Sequence, residues 1–175
     1  EAEFPGNAEI FIDGYAEGVT YQAFAGSKTD AVAVDQSVFY QGSSSMRIDV
    51  PVPTNPGGSY AGGAFTSNTL RDLTEYNAVT FWARASIPAA LNVAGLGNNN
   101  TGESLYMAET ANLPLTTDWQ QYAIPIPLAG KLDQEDGLFY FAEGAEEGNA
   151  YTIWIDELQF ADLNTISNPR PVIAD

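Results

Sequence analysis

Hydrophobic and polar residues alternate along this chain in short bursts and nowhere settle into a helical period. The clearest burst is SSMRIDV (44–50), which puts Met46, Ile48 and Val50 on one face and Ser45, Arg47 and Asp49 on the other. AVTFWARAS (78–86) keeps the same rhythm, with Val79, Phe81, Ala83 and Ala85 on one side. Its other side carries Thr80, Trp82, Arg84 and Ser86, so a large indole stands in the polar register beside an arginine. Comparable runs are AEIFIDGY (8–15), VTYQAFAG (19–26), DAVAVDQ (30–36), SYAGGAFTS (59–67), ALNVAGLG (90–97), ESLYMAE (103–109), WQQYAIPIP (119–127), GLFYFAEG (137–144) and YTIWIDELQF (151–160). Gly, Pro, Asn and Asp punctuate them every 8–14 residues. About ten short strands with turns between them predict an all-β protein, an antiparallel sandwich. Helical turns are expected only near TLRDLTEY (69–76) and PLAGKLD (127–133).

The 175 residues suffice for one domain with its own core. EAEF (1–4) reads as a processing scar from a yeast secretion vector, residues 5–163 as the sandwich, and the proline-bearing tail 164–175 as the start of a linker. No apolar run is long enough for a transmembrane helix. Asn99-Asn100-Thr101 is a glycosylation sequon in a secreted chain.

Charge narrows the function. With 23 acids against 6 bases the net charge is −17, a field that repels phosphate, so nucleic acid is not an expected partner. The excess acid reads as a solvating surface, as carboxylates that hold Ca²⁺, or as both. There is no Cys and no His, which removes disulfides, thiolate and imidazole metal sites, and the Ser-His-Asp triad.

FIDGYAEG, DQSVFYQGSSSMRIDV and YTIWIDELQF, in that order, resemble motifs of jelly-roll carbohydrate-binding modules of the galactose-binding-like type. AVTFWARAS and LTTDWQQYAIPI lie between them like that fold's central strands, and the resemblance spans about residues 8–162. The likeness is greatest to family 11 modules, which bind β-glucan chains. It implies a secreted or cell-surface monomer that takes a polysaccharide ligand and is tethered to a glycoside hydrolase. It also implies one structural Ca²⁺ site that ties together the first strand, the last strand and a turn. Asp156 matches that ligand set, with Asp13 or Glu17 from the first strand and carbonyls around Gln41–Ser44. Relatives with FEDG use the Glu, and here that position is Ile12.

Sugars offer flat C–H faces ringed by hydroxyls, and proteins meet them with exposed aromatic rings flanked by planar polar groups. An aromatic in a strand's polar register either stacks on such a ligand or fills space under a loop. Trp82 with Arg84, and Tyr106 in line with Ser104, are candidates of this kind. Tyr60 adjoins glycines that leave room against the sheet, and Phe24 shares its register with Thr20 and Gln22; the resemblance places both at ligand-contact positions. In GLFYFAEG both faces are apolar: alignment favours Phe141, whereas hydroxyl chemistry favours Tyr140, and we take Tyr140 as the candidate. Trp119 and Trp154 read as structural, and Tyr122 as a core residue with a bonded hydroxyl.

A glycan-cleaving jelly roll is the rival reading. It needs two carboxylates at a set separation, usually on one strand. Asp133/Glu135/Asp136 and Glu143/Glu146/Glu147 fall in Gly-rich loops, and the adjacent Asp156 and Glu157 point to opposite faces. A purely structural or adhesive sandwich is the third class. The expectation carried forward is a non-catalytic module that holds a soluble neutral β-glucan by stacking and hydrogen bonds.

Overall fold

The structure is a computed structural model that describes residues 8–97, 106–166 and 171–174. Its strands are β1 (Glu9–Phe11), β2 (Val19–Ala23), β3 (Val32–Asp35), β4 (Ser45–Val50), β5 (Ala61–Arg71) and β6 (Ala78–Ala85). They continue with β7 (Ala89–Gly97), β8 (Met107–Leu115), β9 (Gln120–Pro125), β10 (Glu135–Glu143), β11 (Tyr151–Ala161) and β12 (Val172–Ile173). Two sheets pack face to face, so the all-β jelly-roll sandwich is the architecture. One sheet has five strands in the order β2-β5-β10-β7-β8; the other has seven, in the order β12-β9-β6-β11-β4-β3 with β1 beside β11.

The alternation read from the sequence sorts side chains as expected. Met46, Ile48, Val79, Phe81, Ala83 and Ala85 are wholly buried between the sheets, together with Phe65, Phe141, Ile153 and Ile155. Tyr122 is buried with them, and its hydroxyl donates to the Pro114 carbonyl at 2.7 Å. An aromatic chain through Tyr21, Phe65, Phe139, Phe81 and Tyr122 runs from one sheet into the other. Each ring pair adds about 0.5–1.5 kcal/mol beyond its area.

Two details depart from the sequence reading. Of the helical turn expected near 69–76, β5 takes the first three residues by running on to Arg71, and the rest forms a single turn in which the Tyr76 N–H donates to the Leu73 carbonyl at 3.2 Å, whereas a 3-10 turn does form at Ala129–Lys131. The tail expected as linker contributes β12, which pairs in parallel with β9 and buries Ala174. EAEF and the sequon lie outside the described residues.

Candidate functional site

The outward face of the five-stranded sheet has an unusual floor. One row of paired residues crosses all its strands: Gln22, Ala64, Tyr140, Gly95 and Glu109. The neighbouring row runs through Gly62, Ala142, Val93 and Ala111. Most of these side chains are hydrogen or methyl, so little rises between strands spaced about 4.8 Å apart, and the floor is about 19 Å wide. Core-facing Phe65, Phe139 and Phe141 alternate with them on the other side of the same strands.

Two tyrosines lie on this floor because glycines let them. A Cβ on Gly62 would come within 2.9 Å of the Tyr60 ring, and a Cβ on Gly95 within 2.6 Å of the Tyr140 hydroxyl. Both rings therefore rest against bare backbone. Tyr60 donates to the Ala25 carbonyl at 2.9 Å, and Tyr140 donates to Glu109 at 2.6 Å. Burial, with Glu109 adding to it, pushes the Tyr140 phenol well above its ordinary range, so it remains a donor at any physiological pH. With both hydroxyls engaged, the rings are held in fixed orientations. Phe24 follows Gln22 in the outward register, its N–H donating to the Gly62 carbonyl at 2.9 Å. Tyr140, Tyr60 and Phe24 are thus gathered on one face. Gln22, Glu109 and the exposed Met107 join them, and sequence reasoning did not single these out; the first two are the planar polar groups expected beside stacking rings.

The remaining candidates lie elsewhere. Tyr106 has the core-facing parity of β8: it packs against the core, and its hydroxyl accepts the Leu128 N–H at 3.0 Å. It lines a cavity of about 400 Å³ at the open edge between β8 and β9. Trp82 and Arg84 are on β6, in the seven-stranded sheet, and face away from the floor. The Trp82 ring is covered by Tyr40, stacked at 3.8 Å with 12° between planes, so loop cover and an outward register both hold for this residue.

Asp13 and Asp156 approach one turn from two sides, as the resemblance implied. Asp156 is fully buried and accepts the N–H groups of Tyr40 and Gln41 at 2.9 and 3.0 Å. Asp13 accepts the N–H groups of Ser43 and Ser44 at 2.7 and 2.9 Å, and the Ser43 hydroxyl at 2.8 Å. These bonds hold Asp13 below its ordinary pKa, whereas burial pushes Asp156 above its own. A Ca²⁺ shell needs converging oxygens, and here N–H and O–H groups of 40–44 point at the carboxylates instead. As arranged, the residues do not fit the ion but form a hydrogen-bonded latch. Exposed Glu17 takes no part in it, and no group of three or more acids among the described residues is placed to hold a metal.

Comparison with known proteins gives the family. The model of carbohydrate binding domain 30 matches residues 7–162. No curated protein matches the chain. Among solved structures, a family 30 carbohydrate-binding module superposes with a TM-score of 0.59 at 19% identity, over 80% of this chain and 78% of that one. The family 30 module of a cellulosomal cellulase of Clostridium thermocellum gives 0.54 at 18% identity, over 91% and 95%. A family 29 carbohydrate-binding module gives 0.54 at 16% identity, over 91% and 92%. The likeness to family 11 is thereby corrected: those motifs mark the shared jelly-roll frame, and short strand motifs do not separate one such family from another. The chain belongs to carbohydrate-binding domain family 30 and is a non-catalytic carbohydrate-binding module.

Proposed function

We propose that the module binds a soluble neutral polysaccharide chain, a β-glucan, along the outward face of the five-stranded sheet. The observation that carries this reading is the flat Gly/Ala floor, on which Tyr60 and Tyr140 lie with their hydroxyls already bonded. The Tyr60 ring face and Phe24 meet the C–H faces of successive sugars, Tyr140, only 8% exposed, fills the floor beneath them, and Gln22 and Glu109 exchange hydrogen bonds with the hydroxyls. An open face leaves the sugar partly solvated and gives modest affinity. The net charge of −17 favours a neutral chain over a uronate polymer. A family 29 module of the same fold has been solved with cellulohexaose, which supports a glucan of this length as the first probe. The module's role is to concentrate a tethered glycoside hydrolase on its substrate outside the cell.

The test is affinity gel electrophoresis with lichenan, laminarin, xyloglucan, xylan, mannan and alginate in the gel. Retardation by a neutral β-glucan, strongly reduced in Tyr60→Ala, with none in alginate gels, is the expected result. No retardation by any neutral glycan overturns the proposal.

A further inference from the structure

The outward face of the seven-stranded sheet carries a second aromatic arrangement that the groove does not use. Across β9, β6, β11 and β4 its outward register holds Gln121 beside Trp82, and Trp154 between Arg84 and Arg47. Tyr40 lies flat on Trp82 and leaves its own outer side open, being 39% exposed. Trp119 stands 6.0 Å from Tyr40 at 55°, as a wall beside a platform. The platform is built rather than incidental, because Asp156 fixes the Tyr40 backbone through its N–H.

Arg84 is the unusual member. Its guanidinium rests over the Trp154 ring at 5.4 Å, and its Nε is buried without a hydrogen-bond partner. Arg47, on the far side of Trp154, is paired with Asp35 and Asp49 at 3.5 and 3.4 Å, while no such ion pair forms at Arg84 among the described residues. The Nε is shielded from a ligand, but with no ion pair the terminal N–H groups of Arg84, held over Trp154, are left to donate to an acceptor from outside, in a chain that has 23 acids. The Gln121 amide, one strand over, offers both a donor and an acceptor. A stacking platform, a guanidinium and a free amide within one patch form a set that suits a pyranose: C–H face on the ring, hydroxyl oxygens on Arg84, hydroxyl hydrogens on Gln121.

We propose that Tyr40, Trp82, Arg84 and Gln121 form a second neutral-glycan site on the seven-stranded sheet, on the opposite side of the sandwich from the groove. The inference rests on the module binding neutral glycans, but not on where the first site lies. Sheets about 10 Å apart place the sites back to back, so separate chains occupy them and one module can cross-link two polysaccharide strands.

The experiment uses cellulohexaose in isothermal titration, and lichenan in affinity gels, on the wild type and on three variants. These are a groove variant (Tyr60→Ala), a platform variant (Tyr40→Ala with Arg84→Ala) and their combination, each checked by far-UV circular dichroism and melting point. The expected result is a weak residual interaction in the groove variant that the combination lowers by about tenfold or more. Binding that is intact in the groove variant but lost in the platform variant also supports the platform, while overturning the groove. If the platform variant binds as the wild type does, and the combination no more weakly than the groove variant, the inference is overturned.

Discussion

Glu143 ends β10 with its side chain turned into the sandwich, where it is 1% exposed. It accepts the Asn92 N–H at 2.6 Å, while the Asn92 side chain accepts the Gly144 N–H at 3.0 Å. The pair ties β10 to β7 at one end of the groove floor. Burial lifts its pKa from 4.5 to about 7, and the nearby Glu146 adds to the rise. A raised acid binds its proton more tightly in the folded state than in the unfolded one. Its contribution is therefore complete below about 4.5 and is lost as pH climbs to about 7. That span is worth up to about 3 kcal/mol, at 1.36 kcal/mol per unit. Glu143→Gln keeps an acceptor for Asn92 and carries no charge. At pH 8 it should be the more stable protein by up to that amount, or about 6–12 °C in melting temperature for a domain of this size. Asp156 and Glu157 are also raised, so the wild type alone does not isolate Glu143. The difference between wild type and variant does. Melts at half-unit steps from pH 4.5 to 8.5 should give a difference near zero or slightly unfavourable at the acid end, growing through pH 5–7 and then level. A difference independent of pH would refute the argument.

The groove makes its own predictions. Tyr60→Phe loses the bond to Ala25 but keeps the ring, so its affinity for lichenan in gels should fall no more than about threefold, whereas Tyr60→Ala should lower it about tenfold or more. Gly95→Ala puts a methyl within 2.6 Å of both the Ala108 carbonyl and the Tyr140 hydroxyl. The expected cost is about 1–3 kcal/mol in urea unfolding, with weaker binding because Tyr140 is lifted off the floor. The latch at 40–44 predicts an unchanged melting temperature in EGTA. A drop of several degrees, restored by Ca²⁺, would mean that the turn's peptide groups rotate to present carbonyls.

How much of this was legible follows from what a strand's alternation encodes. It encodes inside and outside relative to a sheet, so the buried sets of β4 and β6 were readable residue by residue. It also left Tyr140 open, because β10 is apolar on both faces and only the pairing of Tyr140 with Gly95 puts it on the floor. Alternation carries no information about which sheet a strand joins. Trp82 and Tyr60 were both read as outward aromatics, yet β6 and the β5 that Tyr60 leads into belong to different sheets, so candidates that looked like one site divide into two faces. Tyr106 takes the inner face for a different reason: the parity it shares with Ser104 continues through Ala108 to the buried Thr110, so the register that reads as polar from Ser104 is the core-facing one of β8.

The division has a physical logic of its own. A ring can meet a ligand only if something holds it at the surface, and the two faces do this in opposite ways. On the five-stranded sheet, side chains are removed: Gly62 and Gly95 let Tyr60 and Tyr140 lie flat on backbone. On the seven-stranded sheet, side chains are stacked: Tyr40 is carried on Trp82, and Arg84 on Trp154. The first device makes a recess and the second a raised step, which suits the first to a chain that lies lengthwise and the second to a sugar approached from one side. The indole in the polar register of AVTFWARAS is thus a support, and the surface offered to a ligand is the tyrosine it carries.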